Sequence, residues 1–207
     1  MKKSMNIHTM QVGIIGTDCY VVWDKAKEAL VIDPGDDANK ILKFLESRKL
    51  SVAAYLLTHG HVDHISGLAD MYDKAPAPIA IHPDDLAWAF EKSSRIFPFP
   101  VPRRPERIER MLADGQKWTD GGMSYKVIHT PGHTPGGVCF YFPDDHVLFT
   151  GDTLFAGSVG RTDLAGGDSR VLARSLKTIA SLPGITAIYS GHGPASTIQE
   201  EKKVNYF

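Results

Sequence analysis

Apolar and polar positions in the first third of the chain fall into short β-branched runs broken by turns: residues 6–12, 19–23 and 29–32, the last stopped by Asp33-Pro34-Gly35. These runs read as sheet strands. From Asp37 the period changes, with Ile41, Leu42 and Leu45 at helical spacing and Asp36 or Asp37 placed to cap the helix; residues 51–57 then read as a buried strand. The pattern next predicts a helix around 68–72, a short strand over 78–82 and a helix over 84–92, with His82-Pro83-Asp84 as turn and cap. Prolines across 95–105 exclude regular helix or central strand and predict a loop carrying Phe97, Phe99, Arg103 and Arg104, as a flap, a subunit contact or a mobile surface segment. Strands resume at 124–129, 138–142 and 146–150, followed by a Gly-rich loop, a helix over 169–181 and a last strand over 185–189. The order β-rich, αβ, β-rich, αβ predicts an α/β protein with two sheets face to face and helices outside, a four-layer αββα sandwich. One domain over residues 1–207 is the expectation.

Composition narrows the choice of partners. With 23 Lys and Arg against 24 Asp and Glu, the formal net charge of −1 exerts no general pull on nucleic acid or anionic membrane, so neither is an expected partner. The N-terminus starts basic but lacks an apolar stretch behind it, and no later run is long enough to span a bilayer, which implies a cytoplasmic protein. Cys19 and Cys139 each lie in an apolar, strand-like run and suit buried free thiols better than a disulfide.

Histidine is the departure from the ordinary: of nine, five lie in Thr58-His59-Gly60-His61-Val62-Asp63-His64 and His129-Thr130-Pro131-Gly132-His133. The first group follows a predicted strand, where open α/β sheets place ligands. At that spacing His59 and His61 can converge on one cation while Asp63 and His64 turn toward a second. Further donors come from His133, Asp152 and His192, each just beyond a predicted strand; the glycine and proline turn favours His133 over its neighbour His129. His8, His82 and His146 read as surface or structural residues.

The series Thr58-His59-Gly60-His61-Val62-Asp63-His64, with His133, Asp152 and His192, resembles the motif series of the metallo-β-lactamase superfamily, from the first strands to His192. The resemblance implies that His59, His61 and His133 bind one metal, that Asp63, His64 and His192 bind another, that Asp152 bridges them, and that Asp33 supports the ligands from behind. Two divalent ions in such a cage, zinc foremost and iron or manganese compatible with the same donors, lower the pKa of a shared water toward about 7. Asp63 is the residue placed to accept its hydrogen bond.

Within that superfamily the segment 154–163 and the ending Gly191-His192-Gly193-Pro194 most resemble short glyoxalase II-like proteins, which implies a small-molecule thioester substrate such as S-lactoylglutathione. Full-length glyoxalase II adds a C-terminal helical domain with basic residues for glutathione, for which this sequence shows no counterpart. Arg161 and Thr162, in the Gly-rich loop, are candidates for meeting substrate, the alternative being an ion pair of Arg161 with Asp163 or Asp168. A persulfide dioxygenase with one iron on His59, His133 and Asp152 is a competing reading; the Gly-His-Gly-Pro ending favours the hydrolase. A third is a non-hydrolytic electron-transfer module like the flavodiiron proteins, which usually carry Glu where His61 stands.

Overall fold

The computed structural model describes residues 5–91 and 99–204. Among them the strands form two six-stranded sheets and a small hairpin. The first sheet runs β1 (Asn6–Val12), β2 (Thr17–Trp23), β3 (Glu28–Ile32), β4 (Ser51–Leu56), β5 (Ile79–Ile81), β6 (Arg110–Met111), antiparallel through β3 and parallel beyond it. In the second, β7 (Lys117–Asp120), β8 (Met123–His129), β9 (Val138–Phe142) and β10 (Val147–Gly151) form an antiparallel meander. There β10 pairs in parallel with β13 (Ala187–Ser190), whose far side takes β14 (Ser196–Thr197). The hairpin consists of β11 (Leu154–Phe155) and β12 (Ser158–Val159).

The period-2 pattern explains why there are four layers. Along β2 and β3, Cys19, Val21, Ala29 and Val31 join one apolar cluster, packed with Ile41 and Leu45 of α1 (Ala38–Arg48) and Leu68 and Met71 of α3 (Leu68–Lys74). Their neighbours Tyr20, Val22, Leu30 and Ile32 point the other way, into a second cluster shared with Tyr125, Val127, Phe140, Phe142 and Phe149 of the other sheet. On that sheet Ile128, Cys139, Tyr141 and Leu148 face a third cluster with Leu172, Leu176 and Ile179 of α5 (Ser169–Ala180) and Ile198 of α6 (Ile198–Lys203). Each sheet is apolar on both faces, so each must be covered twice, and the helices supply the outer covers. The αββα sandwich expected from the pattern is the fold observed. Both cysteines are buried and free. No helix among the described residues is long and apolar enough to cross a membrane.

Several local expectations change. The helix expected over 84–92 is one turn only, α4 (Pro83–Leu86), capped by His82 Nδ1, which accepts from Asp84 N, and followed by tight turns to Phe90; Lys92 lies outside the described residues. Neither Asp36 nor Asp37 caps α1 through its side chain: the Asp37 carboxylate accepts from Gly13 N at 3.1 Å, and that of Asp36 from Asp37 N at 2.7 Å. Of the proline-rich segment, residues 95–98, with Phe97, lie outside the description. Its later part is pinned to the body, Arg103 pairing with Asp70 and Asp73 at 2.8 and 2.7 Å and the Arg104 guanidinium lying over Phe90. Strands β6, β7 and β14 and helix α6 were not expected; they are short, at sheet edges or chain end, and too brief for a period to show.

Phe140 is fully buried between the sheets, and Phe140→Ala is expected to cost ~3–5 kcal/mol of unfolding free energy, read from the denaturant midpoint. Asp168 caps α5, accepting from Arg170 N and Val171 N, and these bonds hold its carboxyl below the ordinary value of 3.8. A depressed carboxyl contributes stability above its ordinary value and loses it as pH falls through the folded value. The stability gap between wild type and Asp168→Ala is therefore expected at neutral pH and to close below pH 4, measured by thermal melts across the range.

Candidate metal centre

Strands β3, β4, β10 and β13 run parallel within their sheets and end at one edge of the sandwich, delivering Asp33, Thr58-His59, Asp152 and His192 there. The turn after β8 brings His133 to the same edge, and the antiparallel β2 begins there with Thr17. His61 precedes a single helical turn, α2 (Val62–Ile65), so Asp63 and His64 are presented from a helix.

The seven residues singled out in the sequence meet around one space. His59, His61 and His133 form one set and Asp63, His64 and His192 another, the donor atoms of each set lying within 4.8 Å of one another. His61 Nδ1 faces His133 Nε2 at 2.9 Å. Asp152 lies between the sets: Oδ1 is 3.4 Å from His64 Nε2, and Oδ2 is 3.6 Å from His133 Nε2 and 3.7 Å from His192 Nε2. His192 Nε2 is also 3.3 Å from Asp63 Oδ2, which accepts a hydrogen bond from Thr17 Oγ1 at 2.9 Å.

Hydrogen bonds behind the rings decide which nitrogens face inward. Asp33, at φ 50°, accepts from Thr58 N (2.8 Å) and Thr58 Oγ1 (2.6 Å), and from His64 Nδ1 (2.9 Å). A carboxylate only accepts, so a His64 proton sits on Nδ1 and Nε2 is the atom turned to the shared space, 3.4 Å from both Asp63 Oδ2 and Asp152 Oδ1. The Thr58 hydroxyl gives its one proton to Asp33 and therefore accepts from His59 Nδ1 at 3.0 Å. His133 Nδ1 donates to the Arg161 carbonyl at 2.8 Å. Among the described residues five buried side-chain atoms lack a partner, and three are His59 Nε2, His64 Nε2 and Asp152 Oδ1, all at this space. Unpaired buried polar atoms are costly, so three at this one space, among nitrogen and oxygen donors in two groups, fit a pair of divalent cations.

Electrostatics agree with neutral imidazoles in one set. Burial, then the neighbouring rings His64, His61 and His133, pushes His59 far below its ordinary value, and burial with His133 lowers His61 to about 3. In the other set the rings hold protons. Burial opposes a charge on His64, but Asp63 and Asp152 raise it well above its ordinary value, and its positive charge in turn outweighs burial and holds both carboxyls below the usual carboxylate range. A hydrogen bond to Asp63 raises His192, so a cation there would take the place of ring protons. The cage is deep on one side and open on the other: His59 and His64 are 2% and 0% exposed, whereas the His192 side chain is 33% exposed. Gly191 is obligatory here, since a Cβ would collide with Asp152 Oδ1 and His64 Cε1.

His129 stands apart from the cage, stacked on His82 with parallel rings 4.2 Å apart and with Nε2 bonded to the Pro135 carbonyl. These two rings and Asp84 also lie close together, but stacked rings point their lone pairs side by side and not at a shared point. The Arg161 guanidinium pairs with Asp163 at 2.6 and 2.7 Å in solvent, and Asp168 is occupied as a cap; what Arg161 brings to the cage is its carbonyl. Thr162 lies in the same rim loop.

Two supporting residues escaped the sequence. Thr17 holds Asp63, and Asp85 of α4 ties the two histidine loops together: Oδ2 accepts from Gly60 N and Thr134 Oγ1, both at 2.8 Å, and Oδ1 from Gly136 N at 2.6 Å. A second acid in a helical first turn looks like an ordinary N-terminal charge, so no local signal marked Asp85. Asp85→Ala strands two buried N–H groups and is expected to destabilise the fold by several kcal/mol and to lower metal content, by chemical denaturation and elemental analysis.

Comparison with known proteins gives the same picture. The chain is 32% identical over 215 residues to hydroxyacylglutathione hydrolase GloC of Haemophilus influenzae, covering 98% of each. It superposes on the crystal structure of BLEG-1 B3 metallo-beta-lactamase with a TM-score of 0.89 (37% identity, 96% of this chain and 97% of that one). Against the di-iron-bound form of TTHA1623 the TM-score is 0.81 (35% identity, 96% and 98%). The family profile of the metallo-beta-lactamase superfamily matches residues 12–192, a span that takes in every loop at the cage, and the chain belongs to that superfamily.

Proposed function

We propose that this protein is a metal-dependent thioester hydrolase acting on compounds of the S-lactoylglutathione type, with zinc as the preferred occupant of a two-cation site. His59, His61 and His133 would hold one ion, Asp63, His64 and His192 the other, and Asp152 would reach both. The observation that carries this reading is the pairing of two donor sets around one space, with a carboxylate between them and buried polar atoms of His59, His64 and Asp152 that lack partners.

When bound, the ions supply an activated water near neutral pH and Lewis acidity at a carbonyl oxygen. The chain contributes position and proton handling. Asp63, kept ionised and fixed by Thr17, accepts the hydrogen bond that aims the attacking water at the carbonyl carbon. Asp152 holds the two donor sets at a fixed separation, and Gly191 leaves room for its Oδ1. The C–S bond then breaks with the electron pair leaving on sulfur; a thiol with a pKa of about 8.5 departs as thiolate with little acid assistance. Similarity to a relative named hydroxyacylglutathione hydrolase and to a structure holding two irons supports both the reaction class and the number of ions.

Metal content measured alongside turnover of a thioester panel, nitrocefin hydrolysis, and oxygen uptake with glutathione persulfide tests the reading. Thioester cleavage with two ions per chain is expected; oxygen uptake with one iron and no thioester cleavage overturns it. Asp152→Ala is expected to lower thioesterase kcat by more than about 100-fold and to reduce bound metal, and wild-type kinetics with two ions retained would contradict its place between them.

A further inference from the structure

Six rings form a row across the cage. Trp88 lies 5.6 Å from His61, His61 4.8 Å from His59, His59 4.1 Å from His64, His64 5.6 Å from His192, and His192 6.2 Å from Phe155, centroid to centroid. The first two histidines belong to one donor set and the last two to the other. The row therefore runs from one set to the other, and an aromatic side chain closes it at each end.

Neither end ring is part of the core. Trp23, Phe44, Tyr72, Trp118 and Tyr189 are also half-buried aromatics, and each packs on an apolar cluster; among the described residues, Trp88 and Phe155 join none of the three. Both stand on short, well-anchored supports. The Trp88 backbone N–H bonds to the Asp85 carbonyl at 3.2 Å, beside the fully buried Ala89, and Phe155 pairs with Ser158 in the β11–β12 hairpin. A large ring held half in solvent beside polar imidazoles gains free energy when an apolar group covers it. A molecule lying over both donor sets is what can cover these two.

We propose that Trp88 and Phe155 are specificity residues that grip the aliphatic carbons of the substrate next to the scissile bond, one ring packing on those of the acyl group and the other on the first methylenes of the thiol carrier. The reaction named rests on the thioesterase reading; the placement of the rings does not. Straight-chain carboxylates from acetate to octanoate separate the two, because a carboxylate binds a divalent centre whether or not the protein cleaves thioesters. Their affinity for the metal-loaded protein, by calorimetry, is expected to rise about fourfold per covered methylene. One of Trp88→Ala and Phe155→Ala, whichever removes the ring on the acyl side, is expected to flatten that rise at equal metal content, while the other leaves it. In a thioester grid, varying the acyl group on ethanethiol and then the thiol on acetyl, each alanine variant is expected to lose the kcat/KM preference on one side only, a different side for each. Flat carboxylate affinity in the wild type, or two variants affecting the same side, overturns the proposal even if thioesters are cleaved. Length-dependent carboxylate binding that needs one of the two rings, with no thioester cleaved, upholds the placement of the rings and removes the thioesterase.

Discussion

The Asp33 carboxylate is the constraint on which the site depends. It accepts from the Thr58 backbone and hydroxyl and from His64, and through the Thr58 hydroxyl it reaches His59. One acid at the end of β3 thereby orients two rings from the segment after β4, His59 in the loop and His64 on α2, turning both Nε2 atoms toward the same space. Its left-handed backbone, which Asp tolerates better than most residues, is the local strain that lets the chain reverse at Asp33-Pro34 and still face Thr58. Without that anchor the histidines would be rings on loops, free to turn either nitrogen inward.

The sandwich gives this anchor its partners. Sheets apolar on both faces leave their strand ends as the place where polar groups can gather, and parallel pairing of β3 with β4 and of β10 with β13 puts the productive ends together. Asp85 does for the loops what the sheets do for the strands. Buried and saturated by two backbone amides and a hydroxyl, it joins the His59–His64 loop to the turn that carries His133.

Much of this was legible in the sequence because the relevant signals are dense. Uninterrupted apolar runs at 19–23 and 29–32 mark strands buried on both faces, and four residues of metal-binding type within six positions, 59–64, are too concentrated for an ordinary polar loop. His133 could be told from His129 by its turn, although the stacked pair that His129 makes with His82 was beyond reach, since nothing local links positions so far apart. Thr17 and Asp85 escaped for the same reason: their roles exist only after distant loops have met. The helical turn at Val62–Ile65 was hidden by the histidines themselves, whose spacing fits an extended loop equally well. Edge strands of two residues carry no periodicity at all.

The cage is walled unequally. Three imidazoles close one half almost completely, while the other half is finished by His192, whose ring is one-third exposed and sits between Gly191 and Gly193. Cations held as proposed would therefore face different barriers to the medium: one among His59, His61 and His133 would lie behind packed rings, and one beside His192 behind a single half-open wall, so the second would exchange the more readily.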